Sequence, residues 1–172
     1  MRRILILFLA LCACFAMIAG CSHTPPDPWG DPANPTTNFP NRPPILDITW
    51  RKSVLTAWRG TTFWNVEGLN GTGTGIQMDS PHPLDCIGNI PAITVFGETT
   101  LKLSFESAPD SIVVRKYQTN AREYDAYEEI SVKGTSLEVA AENCLYEVIA
   151  KWEDSLLRSY NGTVHYAFCT VK

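Results

Sequence analysis

Between Thr99 and Glu106 apolar and polar side chains alternate without a break: Leu101, Leu103 and Phe105 against Lys102, Ser104 and Glu106. A period of two puts the first set on one face of a β-strand and the second on the other. The same pattern, less strict, recurs through most of the chain after Ile45. Strands are expected over Ser53–Trp58 and Thr61–Val66, turning at Arg59-Gly60, and over Gly73–Met78 after a turn at Leu69-Asn70-Gly71. Further strands are expected over Ile93–Phe96, Thr99–Glu106, Ser111–Tyr117, Glu128–Val132 and Leu137–Ala141. Cys144–Trp152 and Thr163–Val171 make a closing pair. Pro81 and Pro83 keep Asp79–Asp85 out of any ladder, so that segment reads as a rigid loop. No long amphipathic helix, heptad pattern or internal repeat is visible.

Short strands with turn signals every 8–12 residues indicate a sandwich or a barrel. One-sided alternation favours the sandwich, in which each sheet keeps one wet face. The last two strands resemble the closing hairpin of immunoglobulin-like domains, with Tyr146, Trp152, Tyr166 and Phe168 as core aromatics. The expected fold is therefore all-β, an immunoglobulin-like antiparallel β-sandwich.

The first residues follow a different rule. Arg2-Arg3 precedes an apolar run from Ile4 to Ile18, and Ala19-Gly20-Cys21 follows at once. The run is too short to span a bilayer, which takes ~20 residues, and it has the layout of a secretory signal peptide. Its ending resembles the lipobox of bacterial lipoproteins, which implies cleavage after Gly20, lipidation of Cys21 and anchorage on the extracytoplasmic face of the cell membrane. Ser22–Pro44 holds eight of the 12 prolines. It reads as an extended spacer with a reach of roughly 70 Å. The expected organisation is a leader over 1–20, a lipidated cysteine and proline-rich linker over 21–44, and a β-sandwich over 45–172.

The formal net charge of −4 becomes −6 once Arg2 and Arg3 leave with the leader. With no Lys/Arg run, nucleic acid is not an expected partner. Three cysteines remain for the fold. Cys144 alternates in phase with Tyr146, Val148, Ala150 and Trp152, whereas Cys169 is out of phase with Val164, Tyr166 and Phe168. The two then point to opposite faces, and Cys86–Cys144 is the better disulfide candidate in a compartment that permits one. Three reduced thiols are the alternative. No Cys-x₂-Cys pair suggests a metal site.

Candidate chemistry is sparse. Asp79, His82 and Asp85 recur every third residue in the stiff loop, a spacing that serves either loop architecture or a small metal or acid/base cluster. Cys169 and His165 are four residues apart in one strand, ~13 Å along the chain, too far to pair. No nucleophile elbow, zinc-binding helix motif or phosphate loop occurs. Trp50, Trp58, Phe63 and Trp64 make the start of the domain aromatic-rich. Phe63 and Trp64 are adjacent, so at least one should face away from the core. Trp58, Phe63, Trp64 and His82 form the expected binding surface, with no catalytic residue, cofactor or metal assigned.

Phe63-Trp64-Asn65, Asp79-Ser80-Pro81-His82-Pro83-Leu84, Pro109-Asp110-Ser111-Ile112, and the run from Tyr146-Glu147-Val148 to Tyr166-Ala167-Phe168 carry a wider likeness. They resemble the extracytoplasmic domain of a family of small Firmicutes lipoproteins, and extracellular segments of membrane metallopeptidases of the β-lactam sensor-transducer type. No peptidase part is present. The resemblance implies a cell-surface module that binds a protein or an envelope glycan, with a sensory role in view. The alternatives are a metal-assisted envelope hydrolase working through Asp79–Asp85, and a structural protein of envelope assembly.

Overall fold

The computed structural model describes residues 39–68 and 72–172. The expected leader, the lipidated Cys21, the linker as far as Asn38 and the Asn70-Gly71 turn lie outside the described residues. The rest is an all-β sandwich of two sheets. The first holds β1 (Leu46–Trp50), β2 (Ser53–Thr56), β6 (Thr99–Phe105) and β9 (Ser136–Val139) in the order β2-β1-β6-β9. The second holds β3 (Trp58–Glu67), β4 (Gly73–Met78), β5 (Ala92–Thr94), β7 (Ser111–Gln118), β8 (Glu128–Ile130), β10 (Cys144–Trp152) and β11 (Tyr160–Val171). Its order is β4-β3-β11-β10-β7-β8, antiparallel throughout, with β5 added parallel to β11. The trio β7-β10-β11, with β8 beside β7, faces β1-β6-β9 as the C, F and G strands face A, B and E in immunoglobulin domains. The pair β3-β4 extends the second sheet past β11.

Alternation fixes which side of each strand is inside. Leu101 and Leu103 are fully buried, as are Tyr146, Val148, Ala150 and Trp152 from β10 and Val164, Tyr166 and Phe168 from β11. Tyr146 stacks on Phe168 with centroids 5.1 Å apart, and Trp152 meets Trp64 edge-on at 5.4 Å. The closing hairpin therefore supplies the core aromatics that its pattern predicts. Trp64 is also wholly buried, which removes it from the expected binding surface. Phe63, its neighbour, takes the outward side and is 45% exposed.

Arg59-Gly60 is not a turn. β3 runs straight through it, and the register against β11 slips there: Thr62 faces Val164, but Arg59 faces Tyr166 and Trp58 faces Ala167. This β-bulge inserts one extra residue and re-aims what precedes it. As a result Trp58 and Phe63, five apart in sequence, share the outer face. Gly60 is needed at the bulge, because a Cβ there would sit 2.8 Å from the Trp58 ring.

From Phe39, the first described residue, the chain already packs on the sandwich, so the last residues of the expected linker belong to the domain. Phe39 packs edge-on against Tyr160 with centroids 4.9 Å apart. Trp64 Nε1 donates to the Pro40 carbonyl at 2.8 Å, and the Tyr166 hydroxyl donates to the Pro44 carbonyl at 2.7 Å. Arg42 makes a two-pronged pair with the Glu106 carboxylate at 2.7 and 2.9 Å. Proline withholds N–H donors but not carbonyl acceptors, and the buried indole and phenol use them.

The expected Cys86–Cys144 bridge does not form; Cys86, Cys144 and Cys169 are free thiols. Cys144 points into the space between the sheets, whereas Cys86 sits in a 3-10 helix (Pro83–Asn89) packed over the opposite face of the second sheet. The sheet stands between them. Cys169 points away from Cys144, as the parity of the two strands requires.

Candidate functional site

The outer face of the second sheet is where polar chemistry gathers. β11 presents His165, Ala167 and Cys169 there, and β10 presents Leu145, Glu147 and Ile149. From β7 come Tyr117, opposite Leu145, and Arg115, opposite Glu147. The far end of this face is not wet. The 3-10 helix and the residues after it lay Leu84, Ile87 and Ile90 over Tyr117, Leu145, Ala167 and Cys169, making a second small core. Burial there pushes the Cys169 thiol up to about 11 and the Tyr117 phenol up to about 12, Glu147 adding to the latter. Both stay protonated at neutral pH.

Where the helix cover ends, the sheet face opens into a cleft of about 270 Å³. Its floor is Glu147, Arg115 and His165; its walls are Trp58, the bulge at Gly60-Thr61, and Ser80–Pro83. The Glu147 side chain is only 5% exposed. It accepts from His165 Nδ1 at 2.8 Å and from the Tyr117 hydroxyl at 3.2 Å, and the Arg115 guanidinium lies 3.6 Å away. Burial opposes its charge, yet the hydrogen bond and positive field of His165, with Arg115 and Tyr117 behind them, hold its carboxyl below the usual range. The carboxylate fixes the imidazole with a proton on Nδ1, leaving Nε2 as the nitrogen available to a ligand. Among the described residues no hydroxyl or thiol is hydrogen-bonded to His165. The pair therefore lacks the third member of a nucleophilic relay.

His82 forms part of the wall and is built in by three contacts. Its Nδ1 accepts from the Leu84 amide at 3.2 Å, capping the 3-10 helix, with Pro83 next in the position that needs no N–H donor. Its ring stacks on Tyr124 at 4.2 Å and meets Tyr117 edge-on at 5.3 Å. Tyr124 in turn donates to both oxygens of Asp85, at 2.9 and 2.7 Å. The two ends of the Asp79–Asp85 segment thus do different jobs, and Asp79 is exposed. Among the described residues no three His, Cys, Asp or Glu side chains are placed to hold a metal ion.

Desolvation lowers the His82 pKa below its ordinary 6.5. Because the folded-state value is depressed, the stability tied to neutral His82 is present above pH 6.5 and is lost as pH falls through the folded value. The cap explains what is lost, since a proton on Nδ1 would face the Leu84 N–H with another donor. Acidification from pH 7.5 to 5 should lower the protection of the Leu84 amide and of residues 84–89, with exchange taken relative to the intrinsic base-catalysed rate at each pH, before the sandwich unfolds. His82→Asn, which keeps an acceptor for the amide, should flatten that pH dependence. Exchange measured by mass spectrometry checks both.

Of the residues expected at a binding surface, the structure brings Trp58 and His82 to one cleft, leaves Phe63 farther along the same sheet face, and buries Trp64. Sequence reasoning missed Glu147, Arg115 and His165 as a group. Their common outward parity on β10, β7 and β11 was the available signal; the registers that put them side by side were not. No protein-family model matches the chain, and no curated protein or solved structure does either.

Proposed function

We propose that the chain is a lipid-anchored extracytoplasmic binding protein of the small-lipoprotein kind, and that its sandwich holds an envelope ligand non-covalently in the Trp58–His165 cleft. The leader ending in Cys21 and the proline-rich stretch after it support the anchorage. The observation that carries the binding is the Glu147 carboxylate: a nearly closed charge with three partners, set in the floor of an open cleft. A buried ion pair is poor evidence for stability, because desolvation offsets most of its attraction. Residues of this kind in a cleft are functional candidates.

The lining limits the ligand. About 270 Å³ is below the usual size of a cofactor site, so the cleft takes one small group. An indole face for C–H contacts, beside Arg115, His165, Ser80 and Thr61 for hydroxyls, suits one ring of an envelope saccharide better than an apolar side chain. The sheet beneath is packed against the other sheet on its inner face and partly covered by the 3-10 helix on its outer one, and offers a rigid frame.

The test is titration of the full-length protein with soluble peptidoglycan fragments, followed by nuclear magnetic resonance. Shifts should centre on Trp58, Arg115 and His165, and Trp58→Ala or His165→Ala should weaken binding by about 30-fold, the effect of a central contact residue. Fragments that shift none of these signals, or bind the two variants as tightly, would sink the reading.

A further inference from the structure

The connection between β10 and β11 is a built turn with the wrong residues for a turn. Arg158 N–H donates to the Ser155 carbonyl at 3.1 Å, closing a four-residue β-turn over Ser155–Arg158. Its two central positions are Leu156 and Leu157, where turns ordinarily carry Gly, Pro, Asn or Asp. Leu156 is 107% exposed and Leu157 95% exposed. They do not fold back on the domain, because the turn is braced from below. The Arg158 guanidinium pairs with Asp110 and donates to the Glu153 carbonyl at 2.9 Å, and Glu153 N–H donates to Asp110 at 2.7 Å. Nothing in the packing of the domain explains two leucines held out in this way.

The place of the turn gives them a use. β11 starts at Tyr160, two residues past the turn, and the Tyr160 ring is the one that Phe39 packs against. The chain therefore enters the domain at the same end at which the leucines project. Between Cys21 and Asn38 there are only 16 residues, or 17 residue steps. Extended, the 17 steps reach roughly 53 Å, so a tether of this length holds this end within that distance of the lipid and permits contact with it.

We propose that the Leu156-Leu157 turn dips into the bilayer surface and that, with the lipid on Cys21, it makes a two-point attachment that fixes which end of the sandwich faces the membrane. This inference rests on the anchorage reading above. Two leucines alone are too small a patch to hold a free protein on a bilayer. With an anchor already in place, the contact becomes intramolecular, and a weak site is filled. Glu153 and Asp154 flank the turn, and its one cation, Arg158, is engaged by Asp110. The contact is thus apolar and needs neither anionic lipid nor low salt.

The test uses the full-length processed protein in phosphatidylcholine vesicles containing a lipid with a photo-crosslinking group on its acyl chain. Mass spectrometry maps the crosslinks and weighs the amino-terminal peptide. Crosslinks should concentrate on the peptide holding Leu156 and Leu157 and persist in high salt. Leu156→Asp/Leu157→Asp should reduce them about tenfold or more, since aspartate is expelled from hydrocarbon, while the exposed turn leaves the melting temperature unchanged. A lipidated terminus with the turn uncrosslinked overturns the proposal and spares the anchor. An unmodified terminus overturns both. Protection of the turn by an added envelope protein, with no crosslink to lipid, reassigns the leucines to a protein partner and likewise overturns the proposal.

Discussion

Trp64→Ala is expected to lower the unfolding free energy by about 3–5 kcal/mol, the usual cost of emptying a large aromatic site in a core. The indole is completely buried, stacks on Tyr160 at 5.2 Å, meets Trp152 edge-on, and donates to the Pro40 carbonyl. Truncation leaves a cavity between Trp152 and Tyr160 and a carbonyl without its donor. The loss should not be uniform, because Trp64 and Tyr160 are what Phe39 packs on. Residues 39–44 should come loose at denaturant concentrations where the sheets still stand. Urea unfolding followed by near-ultraviolet circular dichroism measures the global loss. Limited proteolysis around Pro40–Pro44 reads the local one. Trp64→Phe, which keeps most of the ring contacts and lacks the N–H, should separate packing from the hydrogen bond. An unchanged cleavage rate in Trp64→Ala would show that the segment is held by Arg42–Glu106 and Tyr166 instead.

Glu147→Ala is expected to cost about as much, roughly 3–5 kcal/mol, for a different reason: removing one partner of a buried pair strands the others. Tyr117, His165 and Arg115 all address this carboxylate, and Tyr117 is itself buried beneath His82 and the 3-10 helix. Glu147→Gln keeps the shape and one acceptor, and should cost less, about 1–3 kcal/mol. Acid should act like the substitution. Because the folded-state pKa of Glu147 is depressed, its contribution is in place above the ordinary carboxylate value and is lost as pH falls through the folded one. The stability of the wild type should therefore fall more steeply below pH 4.5 than that of Glu147→Gln, and chemical denaturation at pH 3.5–7 compares the two slopes. Parallel slopes would mean that the carboxylate gives the fold no acid sensitivity.

Much of the fold was legible because side-chain alternation is a local signal. β10 ends where its pattern ends, at Cys144 and Trp152, and the out-of-phase Cys169 lies on the face that its parity assigns. Arg59-Gly60 misled because glycine serves a bulge as readily as a turn, and only the partner strand tells them apart. The domain boundary moved for a similar reason. Prolines that cannot enter a ladder still offer carbonyls, and Trp64 and Tyr166, far along the chain, reach for them. The expected Cys86–Cys144 bridge failed because Cys86 lies on the helix that covers the outer face, and nothing local says which face a loop returns to. The cleft was the least legible feature. Glu147 and His165 are not directly opposite but diagonal across the β10–β11 ladder, and Arg115 joins them from the other side of β10.

The strand order has a consequence for how the polypeptide is made. β10 and β11 lie at the middle of the larger sheet, but among the described strands of the domain they leave the ribosome last. One edge of β11 receives β3 from Tyr160 to Ala167 and β5 from Cys169 to Val171, while its other edge receives β10. Until residues 144–171 have been synthesised, the β3-β4 and β7-β8 pairs lack the two strands that lie between them, and β5 lacks its partner. A growing chain cut short of β11 leaves the β3-β4 pair and β5 without the strand that joins them to β10, and so within reach of chaperones or proteases. Completion of this domain thus waits for β10 and β11, which leaves the nascent domain threadable until residues 144–171 have emerged.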